Sequence, residues 1–178
     1  MNELKISKLD AAKRQLEVAI RLYFYFGDPV AIHTLTAAAY NVIKDINSSR
    51  GLEKVLIKDQ LAKEFIKHEH QKEFINKMNE AENFFKHADR DPEAILKFKP
   101  FQTELLLWEA VEIYQKLTGE ITPFLHAYRG WFMMHHKPIF SNLPETKKTI
   151  LNSLEYRETE RSTYFQEVIN ILIQRGIC

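Results

Sequence analysis

The sequence predicts an all-α fold: a single helical domain over residues 1–178, built as a bundle of about six to eight helices. Apolar residues recur every three or four positions along most of the chain, which is typical of amphipathic helices. The 178 residues include only 5 Gly and 6 Pro, and no glycine-bounded run of alternating β-branched residues indicates a strand. Hydrophobic residues make up 45% of the chain, which is enough to bury a sizeable core.

The first two helices have clear boundaries. Helical spacing of apolar residues predicts the first over Ser7–Phe26. Its inward positions are Leu9, Ala12, Leu16, Ala19, Ile20 and Tyr23. Asp28 before Pro29 predicts the next helix start, because aspartate caps free amides and proline suits the first helical position. That helix is expected over Pro29–Asn47, and its many small residues favour a central place in the bundle. The polar residues 47–51 predict a flexible loop.

A helix is expected over 52–68, and a more clearly amphipathic one follows over His70–Ala88. The inward stripe of the second consists of Phe74, Met78, Ala81, Phe85 and Ala88. Its opposite side carries Asn76, Asn79, Asn83 and His87. Asp91 before Pro92 repeats the earlier start signal, so a new helix is expected from Pro92.

Three further helices are expected, over Phe101–Leu117, Pro123–Met134 and Arg157–Gln174. The inward residues of the first are Leu107, Ala110, Val111, Tyr114 and Leu117. Apolar residues cover most of the circumference of the second, which indicates deep burial or an oligomer interface. The inward residues of the last are Phe165, Val168, Ile169, Leu172 and Ile173.

Charge and cysteine content limit the classes of function. Lys plus Arg is 25 and Asp plus Glu is 24, so no global field attracts the protein to nucleic acid or to a membrane. The single cysteine, Cys178, cannot form an intramolecular disulfide, which fits a reducing compartment. The first residues have no apolar core of a secretory signal, and no apolar run is long enough to span a membrane. We therefore expect a cytoplasmic protein.

The segment Asn83–Pro92 concentrates the ionisable groups that could carry chemistry. Asn83 and His87 are four residues apart and share the polar face of their helix. His87 could transfer a proton at cellular pH, Lys86 and Arg90 could bind a phosphate, and Arg90 could also stabilise developing negative charge. Asn83, His87 and Arg90 are therefore the candidate catalytic residues of a metal-independent cleavage of a phosphodiester. A structural interpretation stays open, with His87 favouring the helix dipole, Asp91 acting as a cap, and both cations solvated.

Glu82-Asn83-Phe84-Phe85-Lys86-His87 resembles the Arg-Asn-x-x-x-His motif of the HEPN superfamily. The resemblance implies an all-α, dimeric domain, and in many members an RNase that cleaves RNA without metal. Asn83 and His87 match the motif's polar residue and its acid/base. Glu82 stands where the motif has arginine, and Arg90 lies on the other side of the histidine. The chain also resembles a bacterial family that shares Ile32–Leu35 and Asn83–Pro92, and this second resemblance implies no activity.

The histidines do not form a recognisable metal motif. Glu64 and His68 could share a ligand face, but no pair of Glu-x-x-His motifs is present, and a single cysteine excludes a cysteine-rich zinc site. His33 lies in the alanine-rich helix and is expected to be buried and hydrogen-bonded. We predict no metal site and no cofactor.

Three functions remain open from the sequence. The favoured one is an interaction or regulatory domain, HEPN-like but without a complete catalytic motif. The alternatives are a metal-independent RNase of the toxin or phage-defence type with His87 as acid/base, and a metal-binding helical-bundle enzyme. The expected partners are a second copy of the chain, another protein, or RNA or a nucleotide.

Overall fold

The computed structural model describes residues 3–51, 76, 79–89, 91–137 and 160–176. These residues confirm the all-α fold class, since they form six helices and no strand. The helices are α1 (Lys8–Phe24), α2 (Pro29–Ser49), α3 (helical residues 76 and 79–86), α4 (Phe101–Thr118), α5 (Pro123–His135) and α6 (Arg161–Gln174). The helix predicted over 52–68 lies outside the described residues.

The chain divides into two compact units, Met1–Glu120 and Ile121–Cys178. The first contains α1 to α4 and the second contains α5 and α6. The organisation as a single domain stays a prediction. Within the described residues, no helix is both long enough and apolar enough to cross a membrane.

Side-chain caps begin α1 and α2, and the cap of α2 is the start signal that the sequence predicts. The Ser7 hydroxyl accepts a hydrogen bond from the Asp10 amide at 3.1 Å, which caps α1. The Asp28 carboxylate accepts from the amides of Val30 and Ala31 at 2.9 and 3.1 Å, and Pro29 takes the first position of α2. Both starts therefore follow from satisfying free amides at a helix N-terminus.

α1 ends in a Schellman-type turn that contains a phenylalanine. Phe26 has φ +56°, and the Gly27 amide donates to the Leu22 carbonyl at 2.7 Å. Glycine usually takes the left-handed position of this motif, because a Cβ atom there meets the following carbonyl oxygen. The Phe26 side chain is 56% exposed, so little burial offsets the backbone strain.

The predicted loop at 47–51 is wrong in its first part, because α2 continues to Ser49. Asn47 is buried, so it belongs to the inward side of α2. The Ser49 hydroxyl donates to the Ile46 carbonyl at 2.8 Å, and the reversal follows at Gly51, which has φ +63°.

α2 lies centrally in the first unit, as its small residues predict, and packs against α1 and α4. His33 faces Thr103, with 3.0 Å between Nδ1 and Oγ1, and the Tyr40 hydroxyl donates to Glu109 at 3.3 Å. The facing positions advance together along both helices, so α2 and α4 run in the same direction. The five inward positions predicted for α4 are all buried, and the helix ends at Gly119 with φ +72°.

A polar cluster joins α1 to the residue that follows this turn. Glu120 accepts hydrogen bonds from the Lys13 ammonium and, at 2.8 Å, from the Tyr114 hydroxyl. The bond from Lys13 and then that from Tyr114 lower the pKa of Glu120, and the bond to Glu120 raises the pKa of Lys13. The pair therefore favours its charged form in the folded protein.

The second unit is organised around Tyr164 of α6. Its ring lies 5.1 Å from that of Trp131, and its hydroxyl donates to the Ala127 carbonyl at 3.2 Å. Burial raises the pKa of Tyr164 to about 12. A Cβ atom on Gly130 would stand 2.7 Å from the Tyr164 hydroxyl oxygen, so this contact depends on a glycine at position 130.

The burial expected of α5 is confirmed for several of its apolar residues, whereas the inward face predicted for α6 is confirmed only in part. Five apolar residues of α5 are buried, namely Leu125, Ala127, Tyr128, Trp131 and Phe132. Phe165 and Leu172 of α6 are also buried, but Ile173 is 58% exposed, so its inward assignment is wrong. The predicted first residues of this helix, 157–159, lie outside the described part of the chain.

Candidate functional site

A groove of about 780 Å³ lies between α3 and the segment that follows it. One wall is formed by α3 and the residue at its end, with Asn76, Glu80, Asn83, Phe84 and His87. The other wall is formed by the following segment, with Asp89, Asp91, Ala94, Ile95 and Leu96. We call this site the α3 groove. It is the place where the sequence predicts functional residues.

Asn83 and His87 lie on the same wall of the groove, as their spacing predicts. At about 100° per residue, the five positions of this wall fall within roughly 100° around the helix axis. The His87 amide donates to the Asn83 carbonyl at 3.0 Å and makes the last helical hydrogen bond. His87 therefore marks the helix end and also lines the groove. Ala88 is exposed, so its place in the predicted inward stripe is wrong.

The second wall is a turn followed by non-helical chain, so the helix predicted from Pro92 is wrong. The Ala94 amide donates to the Asp91 carbonyl at 3.0 Å, which closes a single turn. No helix follows until Phe101, and Pro100 disfavours helical geometry at the residue before it. Residues of this irregular chain line the groove opposite α3.

Three aromatic rings outside the described lining tie the two walls of the groove to α2. His33 meets Phe85 of α3 and Phe98 of the second wall edge to face, with ring centroids 5.6 and 5.3 Å apart. The two phenylalanine rings also meet each other, at 5.2 Å. We call this set the ring cluster. The prediction that His33 is buried and hydrogen-bonded is confirmed, since it is 1% exposed and bonded to Thr103.

Glu82, at the position of the motif arginine, does not line the α3 groove among the residues described. Its carboxylate accepts a hydrogen bond from the Asn41 amide group of α2 at 2.6 Å. It also pairs with the Lys86 ammonium at 2.6 Å, and the Glu82 side chain is 17% exposed. Lys86, predicted to bind phosphate, is therefore held by a carboxylate on its own helix. Arg90, predicted as a catalytic and phosphate-binding residue, lies outside the described residues.

The described lining of the groove is acidic. Glu80, Asp89 and Asp91 contribute three carboxylates, and His87 is the one basic group in the described lining. Sequence reasoning identified the Asn/His face but missed Glu80, which also belongs to it. The helical spacing of Asn76, Glu80 and Asn83 could have revealed this, since positions four and three residues apart share a face.

No group of three metal-ligating side chains stands together in the part of the chain that the structure describes. The pair Glu64 and His68 lies outside that part, so the metal-binding alternative stays a prediction.

No protein-family model matches the chain, and no curated protein or solved structure is significantly similar to it. The assignment of a function therefore depends on the residues of this chain.

Proposed function

We propose that the chain is an interaction or regulatory domain, HEPN-like but catalytically silent, that binds a partner protein through the α3 groove. The observation that carries the proposal is the chemistry of the groove. It combines amide, carboxylate and apolar side chains along one helix face and the adjoining chain. Mixed surfaces of this kind suit the side chains of a protein segment, with apolar contacts for affinity and polar ones for orientation.

The surroundings of Glu82 also support a silent domain. The motif arginine is the residue that would stabilise negative charge on a phosphodiester. Here a carboxylate occupies that position and bonds to Asn41 and Lys86. The carboxylates of the groove add electrostatic repulsion against a phosphate backbone.

The test is selection from a random peptide library on the purified protein. We expect selected peptides to bind wild type and to lose affinity for a variant with Asn83→Ala and Ile95→Ser, both at exposed lining residues. A matched control changes two exposed residues of α6, Asn170→Ala and Ile171→Ser. Peptides that bind both variants equally, or a selection without any binder, would refute the proposal.

The alternative is a metal-independent RNase with His87 as acid/base. The observation that favours it is the position of Asn83 and His87 on one wall of the same groove. Purified wild type, His87→Ala and a control, His126→Ala at an exposed histidine of α5, are incubated with a mixed set of RNAs. Cleavage lost in His87→Ala and retained in His126→Ala would establish the RNase.

The HEPN resemblance also implies a homodimer, which we include in the proposal. Sedimentation velocity of the purified chain measures its mass in solution. A single species of 21.0 kDa over a range of concentrations would refute the homodimer.

A further inference from the structure

We infer that the α3 groove recognises a basic segment of a partner protein, in which lysine or arginine side chains flank an apolar one. The inference rests on the proposed function and specifies its ligand. The cationic groups pair with the carboxylates of Glu80, Asp89 and Asp91, and the apolar side chain packs on Ile95 and its neighbours.

Charge is the first argument. The three carboxylates stand on both walls, with Glu80 on α3 and Asp89 and Asp91 on the segment opposite. The protein as a whole has a net charge of +1, so this negative region is local. A cationic side chain in the groove meets carboxylates from two sides, whereas an anionic ligand meets repulsion from both.

Apolar surface is the second argument. Ile95 is 93% exposed, and it lies in the groove between Ala94 and the half-buried Leu96. Phe84 provides apolar surface on the opposite wall. Because Ile95 buries so little, its side chain gives almost nothing to folding and stays available to a ligand. The carboxylates at one end of the second wall and Ile95 at the other provide separate contacts for the basic and the apolar side chains of one segment.

The third argument is that the site is formed before a ligand arrives. In the ring cluster, Phe85 of α3 packs against Phe98 of the second wall, and both rings pack against His33 of α2. The His33 imidazole is in turn bonded to Thr103 of α4. A groove whose walls are held by the buried His33 and the half-buried Phe85 and Phe98 requires little reordering on binding, which favours a short linear segment as the ligand.

The experiment uses three fluorescently labelled decapeptides with the same leucine positions. Lysine, serine or glutamate fills the positions between the leucines. Fluorescence anisotropy measures the affinity of each for the whole chain. We expect the lysine peptide to bind at least about tenfold more tightly than the serine peptide, with no measurable binding of the glutamate peptide. The ratio of the affinity of the lysine peptide to that of the serine peptide should fall severalfold as the salt concentration rises from about 0.05 to 0.5 M.

Two matched variants distinguish the effect on affinity of carboxylates in the groove from that of carboxylates elsewhere. The groove variant carries Glu80→Gln, Asp89→Asn and Asp91→Asn. The control carries Glu3→Gln, Glu160→Gln and Glu167→Gln, all at exposed carboxylates that do not line the groove. We expect the groove variant to lose about tenfold in affinity for the lysine peptide and the control to keep wild-type affinity. A third variant, Ile95→Ser, should lower the affinity for the lysine peptide severalfold and leave the midpoint of unfolding unchanged.

Equal binding of the lysine and serine peptides overturns the inference, as does a groove variant that keeps wild-type affinity. The library selection distinguishes this from failure of the proposed function. Peptides that depend on the groove but contain no lysine or arginine defeat the inference alone. Absence of any groove-dependent peptide defeats both.

Discussion

Replacing Gly130 of α5 with alanine sets helix propensity against a steric contact. In a helix interior, glycine is less favourable than alanine by about 1 kcal/mol, so propensity alone predicts stabilisation. However, the new Cβ atom would stand 2.7 Å from the Tyr164 hydroxyl oxygen, closer than packed atoms approach each other. One of them must move, and that hydroxyl is bonded to the Ala127 carbonyl.

The destabilisation caused by Gly130→Ala follows from the contacts that Tyr164 would lose. Moving its hydroxyl by about 0.7 Å reaches ordinary contact distance, and it lengthens the 3.2 Å hydrogen bond beyond a bonding distance. That loss costs about 1 kcal/mol, and disturbed packing on Trp131 costs about another. After subtracting the propensity gain, Gly130→Ala should destabilise the protein by about 1 kcal/mol, or about 3 °C in Tm.

Without the Tyr164 hydroxyl, Gly130→Ala should have the opposite effect on the free energy of unfolding. Among the described residues, and apart from the adjoining residues and backbone of α5 itself, the Tyr164 hydroxyl oxygen is the one atom within 4 Å of the built Cβ position. In a Tyr164→Phe background, Gly130→Ala should therefore stabilise the protein by about 1 kcal/mol. Urea unfolding followed by circular dichroism gives the four free energies of this cycle. The reasoning is refuted if Gly130→Ala stabilises both backgrounds equally, because the two residues then do not interact.

Three further changes test other parts of the chain by the same measurement. Phe26→Gly should raise the free energy of unfolding by about 1 kcal/mol, because glycine relieves the left-handed φ of +56°; a decrease would show that Phe26 contacts outweigh the strain. Glu120→Gln should cost less than about 1 kcal/mol near neutral pH, since this pair with Lys13 is partly exposed. The folded pKa of Glu120 is lowered, so its contribution is complete above about pH 5 and is lost as the pH falls; a difference from wild type that does not shrink in acid would contradict this. His33→Leu should cost about 2 kcal/mol through lost ring contacts and the lost bond to Thr103, and it should cost much less in a Thr103→Val background if that bond dominates.

Helix starts were predictable because their chemistry is local. A serine, aspartate or threonine oxygen that accepts an amide within three residues needs no tertiary partner to form. Ser7, Asp28 and Thr122 behave in this way, and the helices they cap begin where the sequence indicates. The inward residues of α1 and α4 were predictable for a similar reason, since a helical repeat of apolar positions fixes which face is buried.

The Asp-Pro signal shows where local chemistry is insufficient. After Asp28 the chain continues with residues that α2 buries against α1 and α4, such as Ile32 and Ala37. After Asp91 the chain reaches Pro100 within nine residues, and Ile95 is 93% exposed. Forming a first helical turn is unfavourable unless later turns or packing compensate. The same two residues therefore start a helix at one site and a single turn at the other.

Only one wall of the groove, the one formed by α3, could be predicted from the sequence. Periodicity places Asn83 and His87 on one face, because this depends on one helix alone. The opposite wall depends on Phe98 packing against His33, which is 65 positions earlier in the sequence. No local pattern encodes a contact of that separation, so the three carboxylates of the described lining were not recognised as a set.

Glu82 stands where the motif of the resembled family has arginine, and it lies outside the described lining of the groove. Position 82 lies about 100° around α3 from Asn83, on the side that faces Asn41 of α2. An arginine there would lose the hydrogen bond from the Asn41 amide group and would stand four residues from Lys86, which places two cations on one helix face. The immediate surroundings thus favour an anion at the position where phosphodiester chemistry needs a cation. The carboxylates of the groove oppose a phosphate in the same direction. Both observations therefore support the proposal that the groove binds a cationic segment rather than a nucleic acid.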